Sequence, residues 1–216
     1  MIILIVMSVM EQETKQKENK MGMDVHGLNP KQNKNINEFP VYAKYKKMEF
    51  KKRLDILDTD EKLQNTYWVE EDEFNDANKG GYFRNNCWWW RPLWNYCYHV
   101  ADDIISEELY ESGHHNDGAG LNAKDAEWLG ERLLDELSEG NTIEYQAEYQ
   151  QNLDDMPDDD CLICNNNNHG HNKKKDCRRC DSTGKRPNFN KSYPFDVDNV
   201  KDFAEFCIES GGFEIW

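Results

Sequence analysis

Long apolar runs are scarce in this chain of 216 residues, and its mean hydropathy is −0.99. The apolar opening, MIILIVMSVM, is about half the length that a bilayer-spanning helix requires, roughly twenty residues. It has no positively charged lead-in and no small-residue cleavage site, which excludes a secretory signal. Residues 1–20 therefore read as a disordered leader or an over-extended reading frame rather than a membrane anchor, with the folded protein beginning near Met21.

Positive charge is also in short supply. Lys and Arg number 26 against 42 Asp and Glu, a net charge of −16, which argues against nucleic acid as the main partner. The imbalance belongs to one segment. Positions 101–160 hold nineteen acids against Lys124 and Arg132, a local net of −17. By contrast, Lys31, Lys34, Lys44, Lys46, Lys47, Lys51, Lys52 and Arg53 make positions 31–53 basic, and a second basic run spans 173–191. No phosphate-binding glycine loop, nucleophile elbow or zinc-protease motif occurs, which points away from an enzyme. Cysteine is too sparse and too uneven for a disulfide framework. There are seven, with Cys87, Cys97 and Cys207 standing alone, and an odd count of this kind reads as a reducing, cytoplasmic setting with a metal site.

The remaining four form Cys161-x2-Cys164-x12-Cys177-x2-Cys180. Each pair offers two thiolates from one tight turn, and two such turns complete a tetrahedral sulfur shell for one Zn2+. With all four positions supplied by protein, no place is left for water or substrate, so the ion is expected to be structural. A redox dithiol would stand alone at a helix start in a βαβ setting, which is missing. His169 and His171 lie between the pairs and read as loop residues. Lys173, Lys174, Lys175, Arg178 and Arg179 flank the second pair. Nucleic-acid contact is one use for them, but a zinc with four thiolates carries about −2, and compensating that charge is the better account.

The expected fold is α+β and mostly helical. Residues 22–29 read as a short strand, 30–37 as a loop, 39–63 as a weak helix with a basic outer face, and 70–81 as an acidic loop. Pro92 suits a helix's first turn, so Leu93, Trp94, Cys97, Val100 and Ile104 predict one helix from about Arg91 to Glu111. A Gly-rich connector follows. A second helix is predicted from Asn122 to Gly140, and a third from about Thr142 to Leu153 with Ile143, Ala147 and Leu153 inward. The last helix is capped by Asp196 or Asp198 and stopped by Gly211 and Gly212. A terminal strand, Phe213–Trp216, is expected to pair with residues 23–26. Residues 21–157 and 191–216 would then form the main domain, with 158–190 a zinc-knuckle insertion.

The segment from Tyr82 to Tyr98 is crowded with aromatic residues. Core packing is the plain account. Three consecutive tryptophans cannot all point one way, however, so Arg84, Asn85, Trp88, Trp89, Trp90 and Arg91 form a candidate site for a nucleotide-like small ligand. His99 with Asp103, and His114, His115 and Asp117, are further candidates for metal ligation or acid–base work, though no spacing among them matches a known motif.

The stretch CRRCDSTGKR, Cys177 to Arg186, resembles the CxxCxGxG repeat of the zinc domain in DnaJ-type co-chaperones. Ser182 stands where that repeat has its first glycine, and the CLICNNNN half departs from it. The resemblance implies zinc and carries no chaperone activity. MGMDVHGLNP, YFRNNCWWWRPLW and SGGFEIW are similar to segments of a set of uncharacterised bacteriophage and environmental proteins. That likeness implies a viral origin, a host-cytoplasmic location and a fold running from about Met21 to Trp216. The expectation is a zinc-binding, non-enzymatic interaction protein with a protein partner. A nucleotide-sequestering protein and an acidic DNA mimic, built on the 101–160 acids, are the alternatives.

Overall fold

The two ends of the described chain meet. In the computed structural model, which describes residues 22–165 and 177–216 (backbone only at Cys164 and Asn165), strand β1 (Gly22–Gly27) lies antiparallel to the terminal strand β6 (Gly212–Ile215), with Val25 opposite Ile215. The expected pairing of the termini is therefore present. It is extended by two strands that the sequence does not announce. β2 (Tyr82–Asn86) pairs with β1 and β3 (Ala119–Asn122) pairs with β6, giving an antiparallel sheet of order β2-β1-β6-β3.

Helices cover this sheet. α1 (Pro40–Lys46), α2 (Phe50–Leu57) and α3 (Glu61–Ala77) precede β2. α4 (Cys87–Val100) and α5 (Glu107–Ser112) follow it, and α6 (Ala123–Glu139) and α7 (Asn141–Asp155) follow β3. A two-stranded hairpin of β4 (Asp159–Asp160) and β5 (Lys185–Arg186) flanks the short α8 (Leu162–Asn165). α9 (Val197–Ser210) leads into β6. The leader at 1–20 lies outside the described residues, as do His169, His171 and Lys173–Lys175.

α6 and α9 match expectation because their ends are written in side chains. Asn122 Oδ1 accepts from the N–H groups of Lys124 and Asp125, and Gly140 closes α6 at φ 86°. Asp196 Oδ1 accepts from Asp198 N–H, and Gly211 closes α9 at φ 61°. Both closing residues lie in the left-handed region that glycine enters without cost. The two helices approach so closely at Gly130 that a Cβ there would lie 2.7 Å from both Ala204 O and Ile208 Cγ1. Alanine in an exposed helix gains about 1 kcal/mol over glycine, but overpacking costs about 1–3 kcal/mol. Gly130→Ala is therefore expected to lower the denaturation midpoint. An unchanged or raised midpoint would mean that α6 and α9 part without cost.

Four expectations are corrected. The helix from Arg91 to Glu111 is two helices: α4 begins at Cys87, capped by Asn86 Oδ1 on Trp88 and Trp89 N–H, and stops at Val100. Arg132 of α6 donates to the Val100 carbonyl at 2.8 Å, so the helix end is satisfied by a side chain, and Ser106 then caps α5. Pro92 consequently sits inside α4 rather than in its first turn. Residues 70–77 belong to α3, because Leu63, Tyr67 and Phe74 share a face there while Asp72, Glu73 and Asp76 are exposed. The weak helix at 39–63 is α1 and α2 with the opening of α3. In α7 the inward residues are Thr142, Tyr145, Tyr149 and Leu153, whereas Ile143 is 61% exposed and Ala147 is exposed too. The buried hydroxyl pair Tyr96 Oη–Thr142 Oγ1, 2.9 Å apart, sets that rotation by tying α7 to α4.

The main core combines the sheet with α4, α6 and α9 around Trp90, Trp94, Phe203, Phe206 and Phe213. A second cluster of Phe39, Tyr42, Tyr45, Leu57 and Tyr67 holds α1–α3 together. None of the nineteen acids between positions 101 and 160 is buried, as expected for charges on solvated helix faces. Among the described residues no helix is long and apolar enough to cross a membrane.

Candidate metal centre

The hairpin of β4 and β5 brings distant cysteines together. Asp159 faces Arg186 and Asp160 faces Lys185 across the ladder. The next rung is made by Cys161 N–H donating to the Gly184 carbonyl at 2.9 Å. That rung places Cys161 beside the turn from Cys177 to Gly184. In that turn, Ser182 N–H donates to the Cys177 carbonyl at 3.1 Å, and Thr183 N–H to the Cys180 carbonyl at 2.9 Å. The turn closes only because Asp181 (φ 46°), Ser182 (φ 65°) and Gly184 (φ 77°) adopt left-handed backbone. Asp tolerates this region better than most residues, serine less well, and glycine freely. Ser182 offsets part of that cost by accepting a hydrogen bond from Cys177 N–H on its Oγ, at 3.3 Å.

The result is a pocket of sulfur. The Sγ atoms of Cys161, Cys177 and Cys180 all lie within 4.8 Å of one another, and all three residues are buried. Cys161 Sγ and Cys177 Sγ are 3.9 Å apart, too far for a disulfide. Gly184 N–H points at Cys180 Sγ from 3.3 Å, the backbone donor that a metal-bound thiolate would want. The donor set suits a soft or borderline metal ion. Cys164, one turn of α8 beyond Cys161, is placed by its backbone alone. Cys97 and Cys207 are different: both are wholly enclosed in the main core, where burial pushes their thiols well above the usual range.

Leu162 and Ile163, the two residues inside the first CxxC pair, are 78% and 41% exposed. Arg178 and Arg179, inside the second pair, are exposed as well.

The tryptophan-rich candidate site does not assemble. Trp90 is fully buried, and Asn85 is buried with its Nδ2 donating to Asn199 Oδ1 at 2.8 Å. Arg84 faces Asp24, Nε to Oδ1 3.6 Å. Trp88 lies against Phe189 and Tyr193, with ring centroids 5.3 and 4.8 Å away, and Trp89 is half-buried. Arg91 lines a cavity of about 500 Å³ shared with Asn95, Tyr149, Leu153 and Phe189, where its guanidinium meets the Tyr193 hydroxyl at 3.0 Å.

The histidine candidates are dispersed too. His99 and Asp103 fall on either side of the end of α4, and Asp103 pairs with Arg132 at 3.3 Å. His114 is half-buried against the edge of Tyr110, and burial, aided by the Arg91 charge, holds its imidazole below the usual range. His115 and Asp117 are exposed. Among the described residues, the cysteine cluster is the one group of metal-ligating side chains close enough to share an ion. No protein-family profile, curated protein or solved structure matches this chain, so the reading of the site rests on its own geometry.

Proposed function

We propose that the protein is a non-enzymatic interaction protein whose Cys161, Cys164, Cys177 and Cys180 hold one structural zinc ion. The observation that carries this reading is the buried triad of thiols within 4.8 Å, with no other buried residue in its cluster among the described residues. Three thiolates with a fourth from Cys164 would fill a tetrahedral shell and leave no open coordination position, so the ion would brace the hairpin and perform no chemistry. Zinc suits the donors: it tolerates four sulfurs, has no redox chemistry and imposes no geometry against the fold. The thiols require a reducing compartment to remain available, which supports a cytoplasmic setting and, on the resemblance to bacteriophage proteins, a host cytoplasm.

The braced hairpin exposes Leu162 and Ile163 from its first cysteine pair and Arg178 and Arg179 from its second. A small module that exposes both an apolar pair and cations fits a protein partner with an apolar groove and acidic side chains. Native mass spectrometry of chelator-free protein tests the metal: the expected mass is the chain plus one zinc. A mass of chain alone, with the thiols free to alkylate, would overturn the assignment. The interaction is tested by the double variant Leu162→Ser, Ile163→Ser, which is expected to keep its zinc and lose the captured partner. Retention of the partner by that variant would place the contact elsewhere.

A further inference from the structure

A cleft of about 650 Å³ separates α1 and α3 from the edge of the sheet, and it draws on His26, Lys31, Tyr42, Lys46, Phe74 and Tyr82. Two aromatic pairs stand in it. On the helical side the rings of Tyr42 and Phe74 are 5.3 Å apart, with Lys46 Nζ 4.9 and 5.0 Å from their centres. On the sheet side His26 and Tyr82 are 5.1 Å apart. Lys31 is anchored by its backbone N–H to the Glu209 carbonyl at 2.8 Å and leaves an exposed side chain at the rim.

The charge here runs against that of the whole chain. The acids nearest the cleft are already engaged. Glu70 accepts from Val41 and Tyr42 N–H at 2.8 and 2.9 Å, holding the start of α1. Asp24 takes the Tyr82 hydroxyl and faces Arg84, and Glu71, the one acid in the cleft's lining, takes the Tyr67 hydroxyl at 3.3 Å. Lys31 and Lys46 make no ion pair within 4 Å among the described residues, which leaves a cationic rim on a protein of net charge −16. A volume in the range of small-molecule sites, aromatic walls and two lysines is the chemistry that recognises a flat ring bearing an anionic group.

We propose that this cleft binds a small aromatic anion of the nucleoside monophosphate kind, its ring between Phe74 and the His26–Tyr82 pair and its phosphate on Lys31 and Lys46. Lysine serves here as a point charge on a mobile stem, which fits a phosphate at an open rim. The site is independent of the cysteine hairpin and moves small-ligand recognition away from the tryptophan segment.

Isothermal titration calorimetry on the full chain tests it, with adenosine monophosphate and uridine monophosphate as probes and adenosine and inorganic phosphate as controls. At least one monophosphate is expected to bind, about tenfold or more tighter than either control, and to weaken as salt is raised. Lys31→Ala and Lys46→Gln are each expected to weaken it by about tenfold, with unchanged melting temperature for the exposed Lys31→Ala. No heat from either monophosphate up to about 5 mM would overturn the proposal. So would binding that survives both lysine variants, or phosphate alone binding as well as the monophosphate.

Discussion

Cys161→Ser is expected to remove the metal from the protein and unfold the hairpin while leaving the main core standing. Cys161 is fully buried, and its N–H carries the rung to Gly184 that closes the site. A serine hydroxyl is a harder and shorter donor than a thiolate and cannot complete a sulfur shell around zinc. The loss of affinity should exceed the roughly 10- to 100-fold that follows loss of a second-layer partner. The structural consequence follows from what else holds the module. Among the described residues its buried cluster contains Cys161, Cys177 and Cys180 and nothing apolar besides, so these residues offer no hydrophobic core to take over. Metal binding contributes about 10–16 kcal/mol to the folding of comparable zinc peptides, and a hairpin with two ladder pairs cannot replace that.

Among the described residues, the main core draws none from positions 158–190. Two stabilities should therefore separate in one molecule. Hydrogen exchange is the measurement. In the variant, amides from Asp158 to Asn190 should exchange at unprotected rates, while those of α6 and α9 stay protected. Adding a chelator to the unaltered protein should give the same pattern. Full zinc content and unchanged protection in Cys161→Ser would refute the metal assignment.

The parts of the fold legible in the sequence are those that local chemistry decides. α6 runs from an Asn cap to a left-handed Gly, α9 from an Asp cap to another, and the paired spacing announces the cluster of Cys161, Cys177 and Cys180. The parts not legible depend on partners distant in sequence. YFRNN and AGLN have too little alternation to read as strands. They become β2 and β3 because the β1–β6 pair offers two open edges. The break between α4 and α5 is decided by Arg132, more than thirty residues away from the helix end it satisfies. The cationic cleft was hidden for the same reason: His26, Lys31, Lys46 and Tyr82 come from separate elements, and no spacing links them.

The tryptophan run shows how one boundary changes a site. With a helix starting at Pro92, the three tryptophans would precede it and could face a groove. Because Asn86 caps the helix at Cys87, Trp90, Leu93, Trp94 and Cys97 fall at i, i+3, i+4 and i+7 on one buried face. Trp90 goes into the core, and Trp88 is left at the margin against Phe189 and Tyr193.

Trp90→Ala should accordingly be among the most destabilising single changes in the chain. Its indole is fully buried, stacked on Trp94 at 5.5 Å and 12°, and edge-on to Phe203 at 5.5 Å and 87°. Its Nε1 donates to the Gly113 carbonyl at 2.8 Å. Gly113 itself lies so near Trp94 that a Cβ there would sit 2.4 Å from the indole nitrogen, so that loop has little room to collapse into the vacated space. Truncating a buried tryptophan costs about 3–5 kcal/mol, and an orphaned buried carbonyl adds about 1–3 kcal/mol. Set against a total stability of about 5–15 kcal/mol, the variant should melt about 10 °C or more below the parent. Trp90→Phe keeps part of the ring contact and loses the hydrogen bond, so its deficit should be smaller than that of Trp90→Ala. Trp88→Ala should cost less than either, because Trp88 is half-buried. Thermal unfolding of the three variants sets the order. If Trp88→Ala proved the most damaging and Trp90→Ala nearly neutral, the helix would have to begin later than Cys87, and the aromatic segment would again be free to form a surface site.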